Sequence, residues 1–272
     1  MPELPEVETT CRGIAPHIVG KTIRGLVVRE TRLRWPIPTK VLNKQLLQQP
    51  VINVSRRAKY IQIHVPTGML VIHLGMSGTL CIANSKIPLK KHDHLDCKLD
   101  DDVVLRFNDP RRFGSVLFCA HDQTLRQFEH LGPEPLEKEF NAEYLFQKAH
   151  KHRTSIKTFI MNQCIVVGVG NIYANEALFL AKIHPMQSAQ KVSLEQHKAL
   201  SRAIKKILTA AIKKGGTTLK DFRQSDGKLG YFSQALSIYD RMGLACIECK
   251  DTIKLIRLGQ RSTYYCPTCQ KC

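Results

Sequence analysis

Between Thr22 and about Ala120 the apolar residues come in short β-branched runs, whereas further along they recur at three- and four-residue intervals. The first texture predicts strands at GLVVRE, YIQIHV, MLVIHL, HLDCKL, VVLRF and SVLFCA, each cut off by Gly, Pro, Asn or Asp. Strands this short and this closely spaced suggest an antiparallel sandwich or barrel. Ahead of them, residues 6–15 predict a short helix with Val7, Cys11 and Ile14 on one face, closed by Pro16 and Gly20. The Pro-rich, charged HLGPEPLEKEF (130–140) reads as an inter-domain link. The helical texture is clearest at 193–216. Ser193 and Gln196 make a capping box, Leu200, Ile204, Ile207, Leu208 and Ala211 form a buried stripe, and Gly215–Gly216 stop the helix. The pattern divides the chain into a β-rich domain at 1–130, a linker at 131–150, a helical domain at 151–240 and a small module at 241–272.

Charge narrows the class of partner. The chain has 272 residues with 41 Lys+Arg against 23 Asp+Glu, a formal charge of +18. Such an excess points to a polyanion, nucleic acid first, with an anionic membrane surface as the rival. No run of ~18 apolar residues is present to span a bilayer, and no basic stretch followed by an apolar run marks the N-terminus for secretion. The outer face of the 193–214 helix carries Arg202, Lys205, Lys206, Lys213 and Lys214, read as a solvated face ahead of a direct nucleic-acid contact.

Of the ten cysteines, Cys11, Cys81, Cys97, Cys119 and Cys164 are scattered and read as small buried hydrophobes. The other five crowd the C-terminus. Cys246-x2-Cys249 and Cys266-x2-Cys269, sixteen residues apart, have the spacing of a structural zinc site. Four protein thiolates leave no open coordination position, so such a metal organises structure and performs no chemistry. Between the pairs, IKLIRLGQRSTYY reads as a hairpin with Arg257 and Arg261 near its turn. Three further stretches stay open on their own residues. In VVGVGNIYANEALF, glycines ahead of Asn171 allow either a phosphate-binding turn or an ordinary helix–helix turn, the second being the simpler reading. In NDPRRFGS, Arg111, Arg112 and Phe113 sit on a turn that is either plain surface or a wedge for a base stack. In SRRAKY, Lys59 has as its default a solvated edge lysine.

MPELPEVET, SRRAKY, HLGMSG, KHDH, NDPRRFG, VGVGNIYANEALF, GGTTLKDFRQSDGKLGYF and the four-cysteine finger with GQRSTYYC occur in this order over nearly the whole chain. Together they resemble the bacterial formamidopyrimidine-DNA glycosylases, which excise oxidised purines such as 8-oxoguanine. The resemblance implies an α+β multi-domain fold: an N-terminal antiparallel β-sandwich with flanking helices, a helix–two-turn–helix domain and a zinc finger holding one Zn²⁺. It implies Pro2 as nucleophile once Met1 is removed, Glu3 as acid/base partner and Lys59 beside them. Lys59, His92, Arg111, Asn171 and Arg261 would hold phosphates flanking the lesion. Met76, Arg111 and Phe113 would fill the gap left by an extruded nucleotide, and Gly215–Phe232 matches a loop that covers the flipped base. Asn162 stands where an acidic residue is expected, and Cys272 has no assigned role. The implied partner is double-stranded DNA carrying oxidised purines or abasic sites, bound by a cytoplasmic, nucleoid-associated monomer with no catalytic metal or organic cofactor. The endonuclease VIII branch, which prefers oxidised pyrimidines, and a non-catalytic lesion-binding protein are the alternatives; PELPE and the intact DPRRF favour the purine branch.

The opening residues suit that chemistry. An α-amino group titrates near ~8 and a lysine near ~10.4, so a terminal amine is the better neutral-pH nucleophile. A terminal proline is a secondary amine whose adduct with an opened sugar is a cationic iminium, an electron sink for successive eliminations. Glu3 is one residue away and suited to assist ring opening at O4′, while Glu6, one turn on, is suited to fixing the N-terminal segment.

Overall fold

In a computed structural model, residues 2–216 and 236–271 are described. The Gly215–Phe232 stretch therefore lies outside the described residues from position 217 on, as does Cys272. Two units separate between Glu129 and His130, the first also holding Lys214, Gly215 and Gly216. Among the described residues no helix is long and apolar enough to cross a membrane.

The first unit begins with α1 (Leu4–Ile18), which carries Pro5 in its first turn, where a missing N–H costs nothing. It runs through Pro16, which the sequence pattern had as a stop. Pro16 and Arg12, four residues back, are both exposed, so the carbonyl that loses its partner is on the wet side. Gly20, at φ +82°, turns the chain away two residues after the helix ends.

Eight strands follow: β1 (Ile23–Val28), β2 (Asn53–Arg57), β3 (Tyr60–Val65), β4 (Gly68–His73), β5 (Thr79–Ala83), β6 (Asp93–Leu99), β7 (Val104–Asn108) and β8 (Ser115–Ala120). They pair antiparallel as two four-stranded sheets, β1-β6-β7-β5 and β2-β3-β4-β8. Alternate residues of both sheets, among them Ile61, Ile63, Leu70, Ile72, Leu95, Leu105 and Phe107, share one core. Val7, Cys11, Ile14 and Ile18 of α1 join it, as do Leu42 and Leu46 of α2 (Thr39–Leu46), a helix the pattern did not announce.

The second unit is helical. The stretch read as a linker contains α3 (Ala142–Ala149), whose N-cap Asn141 accepts a hydrogen bond from the Tyr144 N–H at 2.8 Å and whose Leu145 and Ala149 are buried. There follow α4 (Ile156–Ile160), α5 (Asn171–Leu180) and α6 (Leu194–Lys213). The capping box of α6 is present in both directions, Gln196 N–H to Ser193 Oγ at 3.2 Å and Ser193 N–H to Gln196 Oε1 at 3.0 Å. Leu200, Ile204, Leu208 and Ala211 are buried as the stripe requires, but Ile207 is half-exposed, while His197, Ala203 and Ile212 are buried as well. The chain closes on the hairpin β9 (Lys254–Leu258) and β10 (Arg261–Tyr265).

Candidate active site and metal centre

Pro2 is buried and Glu3 forms the N-cap of α1. The Glu3 N–H donates to Glu6 Oε2 at 2.8 Å, and both carboxylates are only 2% exposed. The Thr10 hydroxyl donates to the Glu6 carbonyl at 2.9 Å and stiffens the first turn. Gly216 packs on Glu6: a Cβ at that position, where φ is +82°, would sit 3.1 Å from Glu6 Oε1. Two buried carboxylates and the chain start are thus brought into one corner of the first unit.

Lys59 occupies the second place of the two-residue turn Ala58–Lys59 joining β2 to β3, with Ala58 left-handed at φ +54°. Arg56 braces that tip, donating to the Ala58 carbonyl at 2.8 Å and pairing with Glu8 of α1 at 3.1 Å. Lys59 is 6% exposed, so the solvated edge lysine is wrong for this position. Its charge is felt by His73, whose ring is pushed down to about 4 by burial first and then by Lys59 and Arg34. His73 Nδ1 accepts the Gly75 N–H at 2.9 Å, which puts the proton of the neutral ring on Nε2.

Met76 and the 109–114 turn come together through backbone contact. Gly75, at φ +65°, lies so close to the second turn that a Cβ would be 2.5 Å from the Gly114 nitrogen. The Asp109 carboxylate, fully buried, accepts from Ser77 Oγ at 3.1 Å and from the Gly114 N–H at 2.7 Å, clasping both loops at once. Met76 and Phe113 stay 36% and 46% exposed, large apolar side chains held in solvent by a rigid base. The Arg111 guanidinium lies 5.0 Å from the Phe113 ring centroid. His92 is half-buried, and its carbonyl accepts the Asp109 N–H at 3.1 Å.

In the second unit, Gly168 takes φ +80° and Gly170 is the N-cap of α5, so Asn171 begins the helix. Asn171 Nδ2 donates to the Ser262 carbonyl at 3.1 Å, beside Arg261 at the start of β10. Arg261 and Asn162 line one cleft of about 320 Å³ together with His152, Thr154, Lys157 and Thr158. Asn162 Oδ1 accepts the Cys164 N–H at 3.0 Å, closing the turn after α4.

Sequence reasoning missed the residues that dock the finger. Lys157 is 1% exposed and donates to the Ser262 carbonyl at 2.9 Å and to Thr263 Oγ1 at 2.7 Å. Asn175 accepts the Tyr264 N–H at 2.8 Å, and the Glu176 carboxylate accepts three N–H groups, from Ser237, Ile238 and Tyr239, at 2.8–2.9 Å. The available signal was Asn175–Glu176 inside an otherwise apolar helix, a pair that burial would oblige to find partners.

The four Sγ atoms of Cys246, Cys249, Cys266 and Cys269 lie within 4.8 Å of one another, with Cys246–Cys269 at 3.9 Å and Cys249–Cys266 at 3.4 Å. A tetrahedron with Zn–S of ~2.3 Å has edges of ~3.8 Å, so the donor set fits one structural Zn²⁺. Around it Ile238, Ile253 and Tyr264 form a small core of their own.

Comparison with known proteins agrees along the whole chain. Residues 1–116 match the formamidopyrimidine-DNA glycosylase N-terminal domain, 131–223 its H2TH domain and 243–271 the zinc finger found in FPG and IleRS. Formamidopyrimidine-DNA glycosylase of Alcanivorax borkumensis is 53% identical over 271 residues, covering 100% of both chains, and that of an Escherichia coli O6:H1 strain is 51% identical with the same coverage. Among solved structures, Lactococcus lactis Fpg in complex with abasic-site DNA superposes with a TM-score of 0.92 at 34% identity, covering 99% of this chain and 100% of that one. A glycine-to-proline mutant of the Lactococcus lactis protein with Fapy-dG DNA gives 0.92 at 33% identity, covering all of both chains. With its sandwich, its helix–turn elements and its four-thiolate finger each matched in order, this chain belongs to the formamidopyrimidine-DNA glycosylase family.

Proposed function

We propose that this protein removes oxidised purines, 8-oxoguanine and formamidopyrimidines, from duplex DNA and then cuts the abasic strand, with Pro2 as the single nucleophile for both steps. The observation that carries this reading is the corner where Pro2, Glu3 and Glu6 are buried together at the start of α1. With Met1 removed, the Pro2 nitrogen attacks the sugar C1′. The C1′–N bond to the base breaks, its electron pair leaves with the base, and the amine proton is released. Glu3 supplies the proton that opens the ring at O4′, giving the iminium. Loss of a C2′ proton then expels the 3′ phosphate, and a further elimination expels the 5′ phosphate. Glu6 holds the Glu3 backbone by the 2.8 Å bond and keeps the reactive end in place.

DNA binding is divided among Lys59, His92, Arg111, Asn171 and Arg261 on the phosphates. Met76, Arg111 and Phe113 fill the space of the extruded nucleotide, which offsets part of an unstacking cost of a few kcal/mol. Five phosphate contacts correspond to a slope of log K on log salt of about −4.5, at about 0.9 per phosphate. The Zn²⁺ of the four thiolates supplies structure alone, fixing the hairpin that carries Arg261. Action on genomic DNA implies the bacterial cytoplasm, at the nucleoid. Borohydride reduction on a duplex with 8-oxoguanine opposite cytosine is expected to trap a covalent protein–DNA adduct. Lesion binding with no adduct from Met1-free protein would favour a non-catalytic binder, and trapping on oxidised pyrimidines alone would favour the endonuclease VIII branch.

A further inference from the structure

The 109–114 turn carries two adjacent arginines, and the fold sends them in opposite directions. Arg111 goes to the tip, over the Phe113 ring. Arg112, left-handed at φ +55°, turns back and places its Nη2 2.8 Å from Glu30 Oε2. Glu30 lies just past β1 and is itself anchored. Its Oε1 accepts the Arg32 N–H at 3.1 Å, and its own N–H donates to the His94 carbonyl at 3.4 Å. His94 Nε2 in turn meets the Asp109 carbonyl at 2.8 Å. Two residues on from Arg32, the Arg34 N–H donates to the Gly114 carbonyl at 3.1 Å. The 30–34 segment therefore grips the turn at its second arginine and at its closing glycine.

The Arg112 side chain is 56% exposed and that of Glu30 21%, and an ion pair so open to water adds little to folding stability. What it does control is which cation the turn offers to a polyanion. An unpaired Arg112 would reach for phosphate on undamaged DNA, where no inserted tip fixes the turn, because phosphate contacts carry no sequence or lesion information. It would also pull on a turn whose neighbours, Arg111 and Phe113, must keep one direction.

We propose that Glu30 is a positioning residue that withholds Arg112 from the DNA backbone, leaving Arg111 and Phe113 alone at the tip and so widening the difference in affinity between lesion and undamaged DNA. This rests on the reading of Met76, Arg111 and Phe113 as the residues that fill the vacated space. The test uses the full chain. Binding to lesion and undamaged duplexes is measured over a salt series for wild type, Glu30→Gln, and Glu30→Gln combined with Arg112→Gln. Base-stack insertion is followed by 2-aminopurine fluorescence beside the lesion. Glu30→Gln is expected to steepen the salt slope on undamaged DNA by about 0.9, one added phosphate. It is also expected to tighten that binding several-fold and to lower the lesion-to-undamaged ratio by about 3–10-fold, one phosphate contact being sensitive to salt on that scale. Removing Arg112 as well should return the slope to the wild-type value. A Glu30→Gln slope equal to wild type overturns the proposal, including the case in which melting temperature and both affinities fall together. Failure of the underlying reading shows elsewhere: Phe113→Ala would then leave the 2-aminopurine signal intact, whatever Glu30→Gln does to the slope.

Discussion

The two turns that carry the candidate DNA-contacting residues are held by different means. In the first unit, the Met76 and Phe113 loops are joined by a missing side chain at Gly75 and by the Ser77 hydroxyl and the Gly114 N–H, both donated to the buried Asp109 carboxylate. In the second unit, the Arg261 hairpin is joined to α4 and α5 by buried charged side chains, Lys157 donating into β10 and Glu176 accepting from the chain before the finger. The sandwich has a large apolar core behind its loops, so close backbone approach and a single buried carboxylate fix them. The finger has a core of only a few residues and relies on ligands and ionic hydrogen bonds instead. One site should therefore fail when an atom is added, and the other when a charge or a metal is taken away.

The largest effect is expected from the metal. Structural zinc supplies about 10–16 kcal/mol of apparent folding free energy in isolated fingers. Cys246→Ser or chelation should unfold the 244–271 hairpin and weaken DNA binding, while the sandwich keeps its melting transition. A single cooperative loss of both units would show that the difference drawn between them is false. Next comes Gly75→Ala, which combines a left-handed backbone with a 2.5 Å backbone approach. Strain and overpacking together should cost about 2–5 kcal/mol in the first unit; denaturant unfolding checks this, and a change under about 1 kcal/mol would mean that the two loops can part freely. Lys157→Met should cost about 1.5–3 kcal/mol, the range for hydrogen bonds from a charged donor, with the loss confined to the second unit.

The smallest expected effect is set by pH. His197 is fully buried on α6, and burial, aided by His150, holds its ring down to about 4 against an ordinary value of 6.5. The unfolded chain therefore takes up the proton first. Its contribution is complete above pH 6.5 and declines as pH falls toward 4. His73 shifts in the same direction in the first unit. His197→Leu should flatten the pH dependence of the second unit between 6.5 and 4 and leave that of the first; an unchanged profile would mean that the ring is already solvated in the folded protein.

What could be read in advance was what is local. The cysteine spacing, the capping box of α6 and the six apolar strand runs depend on neighbours within a few residues, and the structure contains all of them. Two strands escaped, β2 because Asn53–Arg57 is polar with no residue fully buried and β5 because Thr79–Ala83 is five residues with two buried, and α2 escaped because an eight-residue helix with two buried leucines barely shows a period. Pro16 misled because its penalty depends on whether the freed carbonyl meets water, which the local pattern does not state. Lys59 and Lys157 are both buried, Lys157 on partners that include a carbonyl more than a hundred residues away. In a sequence, both lysines look like ordinary surface charge.

The central claim is that Pro2 is the nucleophile, and the location of the trapped bond tests it most directly. Met1-free protein is reduced with borohydride on 8-oxoguanine DNA, digested with nuclease and protease, and the modified peptide is sequenced by mass spectrometry. The sugar remnant is expected on the Pro2 nitrogen, with intact mass showing a single adduct. A remnant on Lys59 or any other lysine, in protein whose first residue is proline, would contradict the account.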